Sequence, residues 1–598
     1  MNPTKHKAQR ECIARLLQAF LREQLLSVSK QNDTFIIPLS NTSASLQLQD
    51  LTISSLRHYQ IKGDIFYLKS PITSPKQIAD PMQLLTIIKP ELGLQLDQTQ
   101  WEHFLTEIES HVDNTALSDE NNKQYNETLA ASMNQSNSDN FFRWIDEQDI
   151  HNKSLFYEQW TTQGHPYHPC SKTKLGLSPQ DVIQYSPEFH QQTSIYIGAI
   201  HRDIVHIEAI SNDLQYIDWF FEHFPNIKTL WALQLKLNGL DSKNYIPLPI
   251  HPWQAVHIIH SRFKALLESG YLHIFESVTL PTNPTLSFRT VVPISNPYQP
   301  HIKLPIAVQT TSAIRTVSPA STENGPKISF FLSQILAQEN NFNGTLRFMP
   351  ELIGLHAKGF ADETAKHLSV IFRDNVNNHL YTDETGIVVA ALFEKTPVHQ
   401  VPLLIEIMQH AGVNNVDDAK RYFQRYAKIV LNSYLDLYLL YGVALEAHQQ
   451  NTIAVFHQGN PVATIARDFG GLRLHLPTFK GQGFNLVPYP SSATLREERD
   501  EVRNKLLHTT YQYHLGEWIF HLSQYYNVPE STFWILVREI TEERFDALKA
   551  RMEPTVWQQE RHAILEKDWV LKALLRMRLD NVSHDYIYVP ITNPLKET

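Results

Sequence analysis

The hydrophobic period changes more than once along the chain. Near the N-terminus Ile13, Leu16, Leu17 and Phe20 recur at helical spacing, interrupted by Arg15, Arg22 and Glu23. That pattern predicts an amphipathic helix rather than a secretory leader. Residues 34–38 and 45–48 read as short strands, and 113–140, rich in Asn, Ser, Asp and Glu, as a surface excursion. Period two then appears over 285–292 and 302–309, two expected strands around a turn rich in Pro, Asn and Ser. From about residue 401 the pattern is helical again, over 403–411 and 417–440. The most apolar run, 429–445, carries Asn432 and Asp436, so it predicts a buried helix and not a membrane span. Alternating β-rich runs at 452–455 and 462–466 flank Gln458, Gly459, Asn460 and Pro461, which predicts a hairpin. A long helical run over 497–526 softens near Gly516. A terminal helix over 564–579 would place Lys572 and Arg576 on one face.

Composition narrows the class. A chain of 598 residues predicts two to four domains. With 42% hydrophobic and 19% charged residues it reads as an ordinary soluble globular protein. The net charge of −10 comes without any basic block or stripe, so neither nucleic acid nor membrane is an expected partner. Cys12 and Cys170 show no framework and no metal-ligand spacing, which suits a reducing, cytoplasmic setting.

Three stretches offer chemistry. In a symmetric hairpin centred between Gly459 and Asn460, Asn451 would face Asp468 across the open end. An amide oxygen and a carboxylate suit a hard cation such as Mg²⁺, and Glu446 and His448 lie just upstream. The order Asn451, then Asp468-Phe469-Gly470, matches that of the metal-holding residues of protein kinases. An ordinary hairpin with polar ends fits the same residues. Next, the proline-stiffened loop 164–176 presents His165, His168, Lys172 and Lys174, either as a carboxylate receptor or as a structural loop with surface lysines. His251 and Trp253, in the proline-rich corner 246–254, read as structural. Finally, Arg289 and Lys303 are symmetric about Asn296, so they would lie at similar height on adjacent strands. Paired like charges are destabilising unless an anion neutralises them. Ser287 shares the face of Arg289, and Thr310, Thr311, Ser312 and Arg315 add groups suited to phosphate oxygens; a solvated strand edge is the alternative. The chain has no GxxxxGK[ST] loop, no strand-linked GxGxxG, no GxSxG and no HExxH.

As a set, these motifs resemble the IucA/IucC family, the aerobactin-synthetase-like enzymes that build siderophores independently of non-ribosomal peptide synthetases. The matching residues are His165-Pro-Tyr-His168 through Gly176, His251-Pro-Trp-Gln254, Ser287-Phe-Arg289, Lys303 with Thr311, Ser312 and Arg315, Glu446-Ala-His448-Gln-Gln-Asn451, Arg467-Asp468-Phe-Gly, and the run from Lys572. They occur in family order from about 164 to 580.

The resemblance implies an α+β, three-domain cupped hand. Its thumb would be 1–163, its β-rich fingers 164–400, and its mostly helical palm, with a kinase-like metal and nucleotide hairpin, 401–598. It implies adenylation of a carboxylate, citrate or a citrate derivative, by ATP. Condensation with an amine, hydroxylamine or alcohol follows, releasing AMP and pyrophosphate. By motif, Ser287, Arg289, Lys303, Thr311, Ser312, Arg315 and His448 would contact ATP, and Glu446, Asn451 and Asp468 would hold Mg²⁺. Arg315, His168, Lys572 and His448 would carry the catalysis, with His165, His168, Lys172 and Arg503 on the substrate carboxylate. A homodimer is a further expectation. Two other readings stand beside this one. A kinase-like phosphotransferase would release ADP. A non-catalytic iron–siderophore binding or reductase-partner protein is the other, although both cysteines precede residue 171, against an iron–sulfur reductase.

Overall fold

The computed structural model describes residues 3–31, 34–40, 43–70, 74–94, 96–310, 313–342, 344–490, 492–582 and 586–596. The first amphipathic stretch forms the helix Pro3–Arg22 and buries Cys12, Ile13, Leu16, Leu17 and Phe20. These residues share one core with the N-terminal five-stranded antiparallel sheet and the helix Gln98–Gln135. The strand expected at 34–38 is present, and the one expected at 45–48 extends over Ser45–Ile53.

Residues 113–135 are not a surface excursion. They continue the helix Gln98–Gln135, because their amides bond to neighbouring segments instead of water. Asn114 donates to Lys172 O (2.9 Å), Asn121 to Glu188 O (2.7 Å), and Asn126 accepts from the Trp160 indole (3.0 Å).

A nine-stranded antiparallel sheet occupies the middle of the chain. At one edge its order runs Val205–Ala209, Glu351–Ala357, Ser369–Arg373, His301–Lys303, Thr290–Pro293. The expected strand 285–292 is mostly a turn: residues 286–289 link Thr279–Pro284 to Thr290–Pro293, closed by bonds between Thr285 and Thr290 and from Thr290 N to Ser287 O. The expected strand 302–309 is only His301–Lys303, with Gln309–Thr310 in a separate ribbon. The helix Pro319–Gln338 lies tightly on this sheet. A Cβ at Gly354 would stand 2.0 Å from Thr322 O, so only glycine permits that approach.

In the C-terminal part the helix Val416–Tyr441 is almost entirely buried along its second half, and its Asp436 accepts from Nε and Nη2 of Arg544. The long helical run loosens over the nine residues before Gly516: Leu507–Leu515 is π-helical, and Gly516 opens the regular helix Gly516–Tyr526. The single terminal helix is absent. Trp569–Lys572 is a strand paired with Tyr588–Ile591, and a short helix Leu574–Leu579 follows. Trp569 and Leu571 alternate inward there, a period-two signal inside an apparently helical stretch. Lys572 and Arg576 therefore share no helix face.

The largest apolar core joins residues 387–595 to segments from 129–160 and 328–348. A second core underlies the nine-stranded sheet. No helix among the described residues is long and apolar enough to cross a membrane.

Candidate active site

The hairpin forms from Thr452–His457 and Asn460–Ala466. Its turn is Gln458–Gly459, with φ of 49° and 76°, the left-handed pair that two-residue hairpins favour. The turn is centred one residue earlier than symmetry predicts, and a bulge at Val455/Phe456 makes up only part of the difference. Asn451 consequently faces Arg467, whose N–H donates to Asn451 O at 3.0 Å. Asp468 lies one residue beyond, at φ 65°. The Arg467 guanidinium binds both oxygens of buried Glu158, at 2.6 and 2.9 Å. Glu158 also accepts the N–H of Leu286 at 3.0 Å. One carboxylate from the helix Lys153–Trp160 thus ties the hairpin to the 286–289 turn.

That turn carries Ser287 and Arg289. The observed register sets Thr290 opposite Lys303, one step from the expected pairing, with Leu304 N donating to Arg289 O at 2.9 Å. Lys303 Nζ lies 2.7 Å from Asp468 Oδ1. Burial would raise the Asp468 carboxyl, but Lys303, Arg373 and Arg289 hold it well below the usual range. Nearby Glu351 is pushed up, chiefly by burial. Arg289 donates to Thr316 O, and Arg315 Nε to the Thr310 hydroxyl. Burial and then the Arg289 charge lower Arg315 to about 10, against the pull of Asp468 and Glu446. Arg289 Nε and Arg373 Nε are buried without a hydrogen-bond partner among the described residues. Thr311 and Ser312 lie outside the described residues.

Glu446 receives the Lys505 ammonium. Burial opposes its ionisation, but Lys505, His448 and Lys572 bring the carboxyl down to about 2. A Cβ at Gly471 would sit 1.9 Å from Glu446 Oε2, so the backbone after Asp468 is cut away to admit this carboxylate. His448 Nδ1 accepts from Gln450 N at 3.2 Å, and its Nε2 lies 3.5 Å from the Asn451 amide. Burial lowers the imidazole, countered by Glu446. Two ionised carboxylates and an amide, with space cleared by glycine, are a donor set that fits Mg²⁺.

The loop 164–176 divides. His165 Nδ1 accepts from Tyr167 N (3.2 Å) and His168 Nδ1 from Cys170 N (3.1 Å), so each imidazole carries its proton on Nε2. Burial and the charges of Arg315, Arg578 and Lys572 depress His168 to about 3. Burial, then His168, His448 and Lys572, act on His165. Both imidazoles therefore belong to the cluster. Lys172 and Lys174 do not: they meet on Glu188, at 3.0 and 3.2 Å. Arg503 is likewise taken up by Glu560 (3.1 Å) and Asp500.

Lys572 lies 3.7 Å from the centre of the Tyr586 ring, whose hydroxyl meets Arg473 at 3.3 Å. Lys505, Arg373, Arg473, Tyr586 and Glu351 are neighbours that sequence reasoning missed. Lys505 was legible: it sits between buried Val502 and Leu506 on the helix Arg499–Leu506, while Arg503, about 200° away around the helix, faces elsewhere. Arg373 ends the wholly buried strand Ser369–Arg373, where a terminal cation after an apolar run was the available signal.

Two family models match the chain: the IucA / IucC family over residues 153–394, and a ferric iron reductase FhuF-like transporter over 420–587. The chain is 30% identical to the uncharacterized protein y4xN of Sinorhizobium fredii, over 98% of this chain and 96% of the other. It is 28% identical to staphyloferrin A synthase of Staphylococcus aureus (99% and 98% covered) and 30% identical to D-ornithine–citrate ligase of the same organism (73% and 69%). The fold is shared with the petrobactin biosynthesis protein AsbB of Bacillus anthracis, at a TM-score of 0.81, 18% identity and 99% and 96% coverage. It is also shared with ATP-bound aerobactin synthetase IucA of Klebsiella pneumoniae, at 0.73, 19%, and 98% and 99%. With relatives at this level of identity and coverage, the chain belongs to the IucA/IucC family.

Proposed function

We propose that this chain is an ATP-dependent siderophore synthetase. It adenylates a citrate-type carboxylate, then joins the acyl group to an amine, hydroxylamine or alcohol, releasing AMP and pyrophosphate. In this reading residues 1–163, 164–400 and 401–598 act as thumb, fingers and palm of a cupped hand working in the cytoplasm.

The observation that carries the reading is the surplus of buried and half-buried cations. Arg289, Lys303, Arg315, Arg373, Lys505 and Lys572 surround the carboxylates of Asp468, Glu446 and Glu351, and two guanidinium N–H groups there lack partners among the described residues. A buried donor left unpaired costs about 1–3 kcal/mol, more when charged, and a polyanion removes that cost. Attack of a carboxylate on the α-phosphate brings two anions together, and preset cations offset their repulsion. Arg289, Lys303 and Arg315, with Ser287, Thr311, Ser312 and His448, take the triphosphate. Glu446, Asn451 and Asp468 would hold Mg²⁺, which supplies charge neutralisation at the phosphates. His165 and His168, neutral and donating through Nε2, with Lys572 and Arg315, orient the acid. Lys172 and Arg503, engaged by internal carboxylates, are left out of the substrate contacts. The stretch matching the reductase-like model contains no cysteine, so it offers no thiolates for an iron–sulfur centre.

Hydroxamate trapping with ATP and a panel of carboxylic acids tests this directly. The wild type should form hydroxamate with citrate-type acids, while Asp468→Asn and Arg315→Ala should not. Wild-type rates in either variant would remove these residues from the site. ADP as the nucleotide product would remove the adenylation itself.

A further inference from the structure

A second cluster of ligating side chains shares no residue with this site. His206 and Glu208 are two apart on the edge strand Val205–Ala209 and so point to one face of the sheet. His356, on Glu351–Ala357, stands directly opposite His206 in the antiparallel ladder, with ring centroids 5.2 Å apart. Glu323 reaches the same face from the helix Pro319–Gln338. His206 Nε2 is 3.7 Å from Glu208 Oε2 and 3.5 Å from Glu323 Oε1, and His356 Nε2 is 4.0 Å from that same Glu323 oxygen.

The His356 lone pair points inward. The Thr322 hydroxyl donates to Pro319 O (2.9 Å), so its oxygen accepts from His356 Nδ1 (2.7 Å). The His356 proton therefore sits on Nδ1 and the Nε2 lone pair faces Glu323. This is the outer-shell bond that ordinarily orients a metal-binding histidine. His206 Nε2 is buried without a hydrogen-bond partner among the described residues. Ligands at the usual zinc distances lie about 3.3–3.5 Å from one another in a tetrahedron; the ligand atoms of His206, Glu208 and Glu323 already lie within 4.8 Å of one another, and the His356 imidazole must move in to complete the four. Lys327 Nζ sits 3.4 Å from Glu208 Oε2 and 3.4 Å from Glu323 Oε2, where it neutralises the carboxylates and competes with a cation. A cavity of about 230 Å³, which Asp362 and Tyr489 also line, opens beside the cluster and gives an ion a way in.

We propose that His206, Glu208, Glu323 and His356 form a binding site for a divalent transition ion of the zinc class, distinct from the nucleotide–Mg²⁺ site. Two imidazoles select such an ion over Mg²⁺ or Ca²⁺, which prefer all-oxygen shells. The ion would clamp two sheet strands to the helix whose Ser321 lies against Gly470 of the hairpin's Asp468 segment.

The test is Zn²⁺ titration of the chelator-stripped full chain in excess Mg²⁺, with Co²⁺ absorption as the geometry probe. One saturable tetrahedral site is expected. His206→Ala/His356→Ala and Glu323→Gln should each weaken Zn²⁺ binding at least about tenfold, and Thr322→Val by a similar factor. Lys327→Met should strengthen it. Circular dichroism matching the wild type keeps misfolding out of the comparison, and Glu323→Gln changes a single polar atom if the double variant fails to fold. No saturable Zn²⁺ binding in the wild type, or undiminished binding in Glu323→Gln and the double histidine variant, overturns the proposal.

Discussion

Two buried charge clusters in this protein have the same ingredients and opposite character. In one, Lys172 and Lys174 converge on Glu188, with the hydroxyls of Ser118 and Ser186 as their second acceptors. In the other, Arg289, Lys303, Arg315 and Arg373 gather around Asp468, and guanidinium N–H groups are left over. The first carries one charge more than its carboxylate cancels, but each of its ammonium groups is held by that carboxylate and by a hydroxyl. The second is paired only in part, because Lys303 meets Asp468 while Arg289 and Arg373 each keep an Nε–H without a partner among the described residues. The difference teaches that density of cations does not mark a receptor. Unspent donors do, since a buried donor is tolerated unpaired where a ligand repays it.

The contrast breaks or holds on paired substitutions. Arg315→Ala should cost the largest factor, about 10²–10³ in the adenylation rate, the usual loss for one preset electrostatic donor. Thermal stability should hold or rise, because a like charge leaves a crowded cluster. Glu188→Gln should do the reverse. It strands two buried ammonium groups, a loss of about 3–5 kcal/mol measurable by urea denaturation, while turnover per folded molecule is kept. A stable Glu188→Gln protein that fails to adenylate would erase the distinction.

Acid should act on both clusters. The two lysines overcome the burial that would raise Glu188 and depress its carboxyl to about 2, so its contribution is full above the unfolded value of 4.5 and is lost as pH falls from there towards 2. His168, lowered to about 3 mainly by burial, works higher: its contribution is full above 6.5 and falls below it, by up to about 1.4 kcal/mol per pH unit. The urea midpoint should begin to drop below pH 6.5 and steepen below pH 4.5. His168→Gln should lessen the slope of the upper limb, which His165 and other buried histidines share, and Glu188→Gln should lessen the lower steepening, which Glu446 and Asp468 share.

Much of this was legible in the chain. The period-two runs around Gly459 located the hairpin, and the cations near 289–315 pointed to an anion. Exact placement was not legible, for local reasons. The hairpin register hung on a turn one residue early and on a bulge, so Asn451 met Arg467 and not Asp468. The fate of Lys172 depended on Glu188, which the fold, not the spacing, brings to it. Lys505 and Arg503 lie two residues apart and the chain chose the one whose helix face was already marked by Val502 and Leu506. The polar tract after 113 looked solvated because its hydrogen-bond partners lie 34–67 positions away along the chain.

The smallest effect sits at Tyr586, and it sharpens what "partly paired" means. Burial would raise this phenol, but Lys505, Lys572 and Arg473 outweigh it and bring its pKa down. The ring also lies under Lys572, at 3.7 Å. If the ring's cation–π contact is what holds Lys572, then Tyr586→Phe keeps it and adenylation should fall by only about threefold, whereas Tyr586→Ala should forfeit the roughly 0.5–2 kcal/mol of that contact and lose more. If Phe and Ala fall together, the phenol oxygen is the active partner. Tyr586 would then act as an internal anion that part-neutralises the cations until substrate arrives, and the second cluster would be nearer in kind to the first than its unpaired guanidinium groups suggest. Steady-state rates of the two variants across a range of citrate concentrations decide between these, because an internal anion competes with substrate and its removal lowers the half-saturating concentration, while loss of a ring contact raises it.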